Sequence, residues 1–102
     1  MTAADSATER QRLDKWLWHA RFARTRTLAA QLVAQGHVRI NGVRAEAPAR
    51  SVKRGDVLTL ALARTVAVIK VLDFVERRGP AEVAQRLYEA VPPVEEPGQP
   101  SG

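Results

Sequence analysis

The chain has 102 residues and no cysteine, which is typical of one domain and excludes disulfides and thiolate metal sites. No apolar run approaches the roughly 18 residues of a membrane span, and the first residues, MTAADSATERQR, lack the apolar core of a secretory signal. We therefore expect a cytoplasmic protein without membrane contacts.

The net charge of +5 is concentrated in one half of the chain. Residues 10–54 contain eleven Lys or Arg side chains but only two acids, Asp14 and Glu46, whereas the rest of the chain is net negative. Such asymmetry indicates a face that binds a polyanion, above all a nucleic acid, and the prevalent arginine is the better bidentate ligand of phosphate. The alternative is a solvated surface in a chain that is simply rich in arginine.

Two helices are predicted at the start of this basic half. Residues 13–23 have helical periodicity, which gathers a set of apolar side chains into one stripe: Leu13, Trp16, Leu17, Ala20 and Ala23. Thr25 is a good N-cap for a second helix over residues 26–35, and Gly36 is the expected left-handed terminator. The buried stripe of the second helix is predicted to comprise Leu28, Ala29, Leu32 and Val33.

A β-hairpin is predicted for residues 37–46, because Asn41-Gly42 favours a type I′ turn. Its buried side is predicted to carry Val38, Ile40 and Val43. The same register sets Arg39 opposite Arg44, and like charges directly opposite weaken a hairpin. Glu46 on the same face offers a structural compensation, whereas the functional interpretation is a pair of cations awaiting a phosphate.

The second half of the chain is predicted to continue with a loop over residues 47–56, which ends in a Gly55-Asp56 turn. Strands are expected over residues 57–62 and 65–74. Gly79-Pro80 then opens a helix whose apolar face comprises Val83, Ala84, Leu87, Tyr88 and Val91. Residues 1–10 are expected to be flexible, and the Pro/Gly-rich acidic tail over residues 92–102 is expected to be disordered. The predicted class is a small α+β domain in the order α-α-β-β-β-β-α.

Two groups of exposed side chains are candidates for RNA contacts. On the second helix, Arg26 stands at the first helical position beside free backbone N–H groups, and small neighbours let a phosphate backbone approach while Arg24 and Arg26 anchor it. The alanines there are also simply good helix formers. On the first helix, Trp18 and Phe22 flank Lys15 away from the apolar stripe. They either stack on unpaired bases or lie under the C-terminal helix, and packing is favoured.

No catalytic or metal-binding constellation can be assembled from the sequence. His19 and His37 share no face and have no cysteine cluster beside them, and no Gly-rich phosphate loop is present. The aspartates Asp14, Asp56 and Asp73 are scattered and are interpreted as cap or turn residues. We therefore expect a binding module without a cofactor, not an enzyme.

The segments RLDKWLW (12–18), TRTLAAQLVAQGHVRINGVRA (25–45) and VKRGDVLTL (52–60) together resemble the S4-type RNA-binding domain. Its pattern comprises an Arg-Leu-Asp start, a Ser/Thr-Arg helix opening, Gly-x-Val-x-Val-Asn-Gly and a late Gly-Asp, with Ile40 here in place of the commoner Val. WLWHARFARTRTLAA and ERRGPAEVAQRLYEA further resemble the bacterial heat-shock protein 15 family.

The resemblance implies a fold and a function. Two N-terminal helices would pack on a small, mostly antiparallel sheet, with the S4-type domain over residues 11–62 and a strand and C-terminal helix over residues 63–91 packed on it. The protein would bind ribosomal RNA on free large ribosomal subunits that still carry a nascent chain on tRNA. It would aid their recycling after stalled translation, as part of the heat-shock response, and would be a monomer when free.

Carried onto this sequence, the RNA face of the family predicts a set of contact residues: Arg12, Lys15, Arg24, Arg26, Thr27 and Arg39, with Arg44, Lys53 and Arg54 as flankers. Such a domain would recognise RNA by shape and phosphate position, and Asn41 and Gly42 would serve the turn itself.

The sequence leaves three alternative functions open. The chain is a stand-alone S4-type module for another structured RNA, or it belongs to an S4-bearing enzyme such as a pseudouridine synthase or tyrosyl-tRNA synthetase, for which 102 residues leave no catalytic domain. The third is a small DNA-binding protein with its second helix in the major groove. The few base-reading side chains on that helix argue against DNA.

Overall fold

The computed structural model of the chain describes residues 10–91. The predicted disordered tail over residues 92–102, and all but Arg10 of the predicted flexible N-terminus, lie outside the described residues. The elements in chain order are β1 (Arg10–Arg12), α1 (Leu13–His19), α2 (Arg26–Ala34), β2 (Val38–Ile40), β3 (Val43–Ala45), β4 (Ser51–Lys53), β5 (Val57–Ala61), β6 (Val66–Val71), α3 (Ala81–Ala84) and β7 (Tyr88–Ala90).

The strands form two antiparallel units. A five-stranded sheet has the order β3-β2-β5-β6-β7, and a two-stranded ribbon joins β1 to β4. Helices α1 and α2 pack on one face of the larger sheet, because their apolar stripes share one core with the inward-facing residues of β2, β5 and β6. The prediction of helices on a mostly antiparallel sheet is confirmed. None of the described helices is long and apolar enough to cross a membrane.

Both N-terminal helices end in backbone turns that cap their last carbonyls. In α2, Gly36 has φ +84° and the predicted left-handed stop is confirmed, with the N–H of His37 donating to the carbonyl of Leu32. Helix α1 ends earlier than predicted, at His19, because Arg21 adopts φ +68°. The Nε atom of Arg21 donates to the carbonyl of Gly79 at 3.0 Å, which holds this unusual non-glycine conformation in place.

The hairpin is confirmed, whereas the predicted burial of one of its residues, Val43, and of Leu28 in α2 is wrong. Asn41 has φ +51° and Gly42 φ +87°, as a type I′ turn requires, and Arg39 lies opposite Arg44. Val43 is 61% exposed, because it lies near the tip of the edge strand β3, and Ala45 is buried in its place. Leu28 is 44% exposed, because it lines a surface groove instead of the α1–α2 contact.

The C-terminal helix is much shorter than predicted. It covers only Ala81–Ala84, and Tyr88–Ala90 form strand β7, which pairs with β6. The strand is favoured because it satisfies the free edge of β6, and because Leu87 is buried while its carbonyl accepts from the N–H of Leu72 at 2.8 Å. The predicted helix through Val91 is therefore wrong.

The loop predicted for residues 47–56 contains strand β4. Its partner β1 lies 41 residues earlier in the chain, with Arg10 opposite Lys53 and Arg12 opposite Ser51. Val52 points into the core and is fully buried. The predicted Gly55-Asp56 turn is present, since Asp56 accepts from the backbone N–H of Lys53 at 2.9 Å.

Candidate nucleic-acid interface

Two of the predicted contact residues meet at one buried carboxylate. Arg12 donates from Nε and Nη2 to the two oxygens of Asp14 at 3.1 and 3.0 Å. Arg26 approaches the same carboxylate from the other helix, with Nη2 3.7 Å from Oδ1. The Asp14 side chain is only 5% exposed, whereas those of Arg12 and Arg26 are 50% and 42% exposed. We call these three residues the Asp14 cluster.

Local sequence explains how the Asp14 cluster forms. Arg12 ends β1 and stands at the N-cap position of α1, which puts Asp14 in the first helical turn. Thr25 caps α2, as predicted, by accepting from the N–H of Leu28 at 3.0 Å. Arg26 is consequently the first residue of α2, beside the free N–H groups at the positive end of the helix. The interpretation of Asp14 as a cap residue is wrong, since it makes no cap and instead orients two arginines.

The Asp14 cluster retains free donors for an anion. A guanidinium carries five N–H donors in a rigid fork, and Arg12 uses only two of its nitrogens on Asp14. The remaining donors lie on half-exposed side chains, where a phosphate can reach them. Charge-assisted bonds of this kind are roughly twice as strong as neutral ones, so the cluster can hold a phosphodiester while its own geometry stays fixed.

Three further predicted contact residues lie next to the Asp14 cluster in the sequence. Thr27 follows Arg26 and is exposed, Arg24 is exposed in the α1–α2 connection, and Lys15 follows Asp14 and is half-buried.

Lys15 also lies close to His19. Burial of the His19 imidazole, and then the charge of Lys15, lower the pKa of His19 below its usual 6.5. The buried imidazole is therefore neutral near pH 7 and leaves the positive charge to the lysine and arginines.

Arg39 and Arg44 lie on a different surface from the helices. Side chains alternate along a strand, so Arg39, between buried Val38 and Ile40, projects from the sheet face that the helices leave uncovered. Arg44 forms an ion pair with Glu46 at 3.2 Å, the compensation that the sequence offers. The guanidinium of Arg39 instead turns to the hairpin tip, 3.5 Å from the carbonyl of Gly42.

The last two predicted contact residues, Arg54 and Lys53, lie on two further parts of the structure. Arg54 donates to Asp73 at 2.9 Å and lies over the ring of Phe74, with its Cζ 5.2 Å from the centroid, so it packs on the segment after β6. Lys53 faces solvent on the β1–β4 ribbon opposite Arg10. As RNA ligands, all nine residues remain predictions.

Sequence reasoning missed Arg10 and Arg50 as candidates. Both line a groove with Lys53 and the hairpin residue Asn41. Their membership of the basic run was visible in the sequence, but their grouping depends on the pairing of β1 with β4, for which no local signal exists.

The C-terminal segment contacts two aromatic side chains, Trp18 of α1 and Phe22 just after it. The ring of Phe22 lies 4.7 Å from that of Tyr88, and Arg78 places its Cζ 5.8 Å from the Trp18 ring and donates to the Trp18 carbonyl. These contacts support the packing alternative, but a strand residue and a loop arginine make them in place of the expected helix.

Within residues 10–91, no group of three or more His, Asp or Glu side chains is arranged to hold a metal ion. The lysine and arginine side chains of the basic clusters are donors only, and such donors bind anions.

Comparison with known proteins identifies relatives of this chain. The family model of the S4 domain matches residues 11–58. Heat shock protein 15 of Escherichia coli K12 is 42% identical over 78 residues, which are 76% of this chain and 58% of that protein. The homolog from Aeromonas salmonicida is 40% identical over 82 residues, 80% of this chain and 61% of the relative. The chain thus spans about three fifths of the length of these relatives.

A solved structure extends the likeness to three dimensions. The structure of Vibrio cholerae heat shock protein 15, described as trimeric, superposes with a TM-score of 0.76 at 42% identity, covering 81% of this chain and 83% of that one. The helices, hairpin and matched sequence define a protein with an S4 domain. Within that class, the chain belongs to the heat shock protein 15 family.

Proposed function

We propose that this chain is a non-enzymatic RNA-binding protein that acts in the cytoplasm on ribosomal RNA of free large ribosomal subunits. In this proposal the subunits carry a nascent chain on tRNA, and binding aids their recycling after translation stalls under heat shock. The observation that carries the proposal is the Asp14 cluster, which orients Arg12 and Arg26 toward solvent. Membership of the heat shock protein 15 family supports the choice of the ribosomal partner.

The proposed mode of binding is recognition of shape and phosphate position. The contact residues are Arg12, Lys15, Arg24, Arg26, Thr27 and Arg39, with Arg44, Lys53 and Arg54 beside them. Arginine forks on fixed backbone elements select where phosphates stand but carry little information on base identity. We place this activity in residues 11–62, with residues 63–91 packed on that unit.

Sedimentation of the tagged protein through a sucrose gradient of heat-stressed cell extract tests the ribosomal partner. We expect co-migration with free large subunits, reduced in the R12Q/R26Q variant. Treatment of the extract with puromycin, which releases nascent chains, is expected to lower the bound fraction. Co-migration with intact ribosomes only, or with no ribosomal particle, would refute the proposed partner.

A competition assay separates this function from its two alternatives. Large-subunit ribosomal RNA is expected to displace labelled ribosomal RNA at lower concentration than duplex DNA or an unrelated structured RNA. Equal competition by the unrelated RNA would favour a general S4-type module, and stronger competition by DNA would favour a DNA-binding protein.

We also propose that the free chain is a monomer. The Vibrio cholerae relative is described as trimeric, so the two oligomeric states are direct alternatives. Sedimentation velocity across a concentration series is expected to give a constant monomer mass, and a threefold mass would contradict this.

A further inference from the structure

The ribbon of β1 and β4 carries a second set of cations. Its register places Arg10 directly opposite Lys53, and Arg12 opposite Ser51. These four residues are exposed, whereas Val52, on the other face of the ribbon, is fully buried. The outward face of the ribbon therefore sets two like charges across from each other, an arrangement that weakens strand pairing.

A groove of about 320 Å³ lies between this ribbon and the tip of the hairpin. Three cationic side chains line it, Arg10, Arg50 and Lys53, together with Asn41 of the hairpin turn. A concave site lined by cations binds an anion better than a flat surface does, because more donors reach one ligand and local potential is focused there.

The single carboxylate that lines the groove, Asp56, is already engaged in the turn. Its Oδ1 accepts from Nδ2 of Asn41 at 3.1 Å, and its Oδ2 accepts from the backbone N–H of Lys53 at 2.9 Å. Among residues 10–91, no carboxylate lies within 4 Å of the charged groups of Arg10, Arg50 or Lys53. The groove thus differs from the Arg39–Arg44 pair, where Glu46 compensates Arg44.

Arg12 links the groove to the Asp14 cluster. It projects from the same ribbon face as Arg10, and its guanidinium is held by Asp14. A continuous cationic path therefore runs from Arg26 at the start of α2, through Arg12, to the groove beside the hairpin tip.

We propose that the groove lined by Arg10, Arg50 and Lys53 is a second phosphate-binding subsite, which holds the sugar–phosphate backbone of the RNA beyond the nucleotides at the Asp14 cluster. This inference rests on the proposed RNA-binding function and adds Arg10 and Arg50 to the contact residues that the sequence predicted, with Lys53 already among them. The groove fixes the direction of the RNA across the protein, since two separated phosphate sites define a line where one defines only a point.

The test measures filter binding of phenol-extracted large-subunit ribosomal RNA over a series of salt concentrations. The slope of log K against log salt is negative, and each lost phosphate contact reduces its magnitude by about 0.7–0.9. We expect R10Q/K53Q to reduce the magnitude of the slope by roughly 1.5 and the affinity by at least about tenfold at 0.1 M salt. R50Q is expected to reduce the magnitude of the slope by about half as much.

Two matched variants serve as controls. R64Q/R77Q removes the same charge from exposed positions outside the groove, and we expect it to change the slope by less than half as much. R10K/K53R keeps both charges and is expected to bind as the wild type does. The unfolding temperature of R10Q/K53Q is expected to equal or exceed that of the wild type, because a like-charge pair has been removed.

The outcomes distinguish this inference from the proposed function. If the wild type binds the RNA and R10Q/K53Q binds equally well, or loses no more than R64Q/R77Q, the subsite is refuted while RNA binding stands. Weak binding by R10K/K53R would also refute the subsite, because this variant keeps both positive charges and RNA affinity would then depend on something else. If the wild type itself does not bind ribosomal RNA, the proposed function fails first.

Discussion

At the scale of single residues, the carboxylate of Asp14 orients two arginines, one at the end of β1 and one at the start of α2. Both oxygens bind Arg12, and Oδ1 also faces Arg26. Fixing long side chains before the ligand arrives reduces the ordering cost of binding by about 0.5–1.5 kcal/mol for each side chain. In the proposed site, Asp14 would therefore aid anion binding although its own charge opposes it.

The substitution Asp14→Asn separates orientation from charge. It adds one positive charge to the protein, yet we expect RNA affinity to fall by roughly fivefold because the arginines lose their anchor. The buried bonds that are lost also lower the free energy of unfolding by about 1–3 kcal/mol. Filter binding and urea denaturation measure the two effects. Glu82→Gln, an exposed acid on α3, is the charge-matched control, and tighter binding by Asp14→Asn would contradict the orienting role.

Arg26→Ala tests the predicted contact itself. We expect RNA affinity to fall by about tenfold, as for the loss of one good phosphate contact at 0.1 M salt, while the free energy of unfolding changes by less than about 1 kcal/mol because the pair with Asp14 is half-exposed. Arg77→Ala, in an exposed loop, is the control. Unchanged affinity at matched salt would exclude Arg26 from the site.

His19 makes the stability of the fold depend on pH. Burial, and then the charge of Lys15, lower its pKa in the folded state below 6.5, so the unfolded chain binds the proton more readily. The free energy of unfolding is therefore fully retained above pH 6.5 and decreases as the pH falls below it, toward the folded pKa. Urea denaturation between pH 7.5 and 5.5 checks this. His19→Gln is expected to reduce the slope, and an identical slope in that variant would contradict the assignment.

At the scale of elements, α1 is held between the sheet and the C-terminal segment. The indole Nε1 of Trp16 donates to the carbonyl of Asp73 at 3.0 Å, and the ring of Phe22 contacts that of Tyr88. The segment after β6 therefore packs against α1 and the residues that follow it.

Phe22→Ala is expected to lower stability without a comparable effect on binding. Phe22 is half-buried between Trp16 and Tyr88, so we expect the free energy of unfolding to fall by about 2 kcal/mol, somewhat less than for a fully buried ring. RNA affinity, measured well below the unfolding temperature, is expected to stay within about twofold, since a packed ring offers no face to a base. A tenfold loss of affinity in a folded variant would instead indicate base stacking.

The start or end of an element was predictable where residues close to it in sequence determine it. The cap Thr25, the terminator Gly36 and the Asn41-Gly42 turn each act within a few residues and are found as predicted. The end of α1 at His19 was not predictable. The left-handed conformation of Arg21, just after the helix, is held by a hydrogen bond to the carbonyl of Gly79, 58 residues away.

At the scale of the whole molecule, the basic half of the chain forms several separate cationic surfaces instead of one. The Asp14 cluster and the ribbon groove adjoin each other, whereas Arg44 lies on the uncovered sheet face and Arg54 lies on the segment after β6. A large polyanion can contact more than one of these surfaces at once, and we expect binding to depend on the sum of their charges.

Affinity for ribosomal RNA is accordingly expected to fall steeply with salt. With about five phosphate contacts, the slope of log K against log salt is roughly −4, so affinity drops by more than a hundredfold between about 0.05 and 0.2 M salt. Filter binding over this range measures the slope. A flat response would indicate a partner that is bound by apolar contacts and not by phosphate charge.

The sequence alone determined the helices at the N-terminus, the hairpin with its opposed arginines, and the asymmetric charge, because each depends on residue type and on spacings of a few residues. The tertiary structure alone decided which charges meet. It paired β1 with β4, which assembled Arg10, Arg50 and Lys53, and it brought the starts of two helices to one buried carboxylate. It also made a strand of the second half of the expected C-terminal helix, since the edge of β6 offered backbone partners that no local pattern reveals.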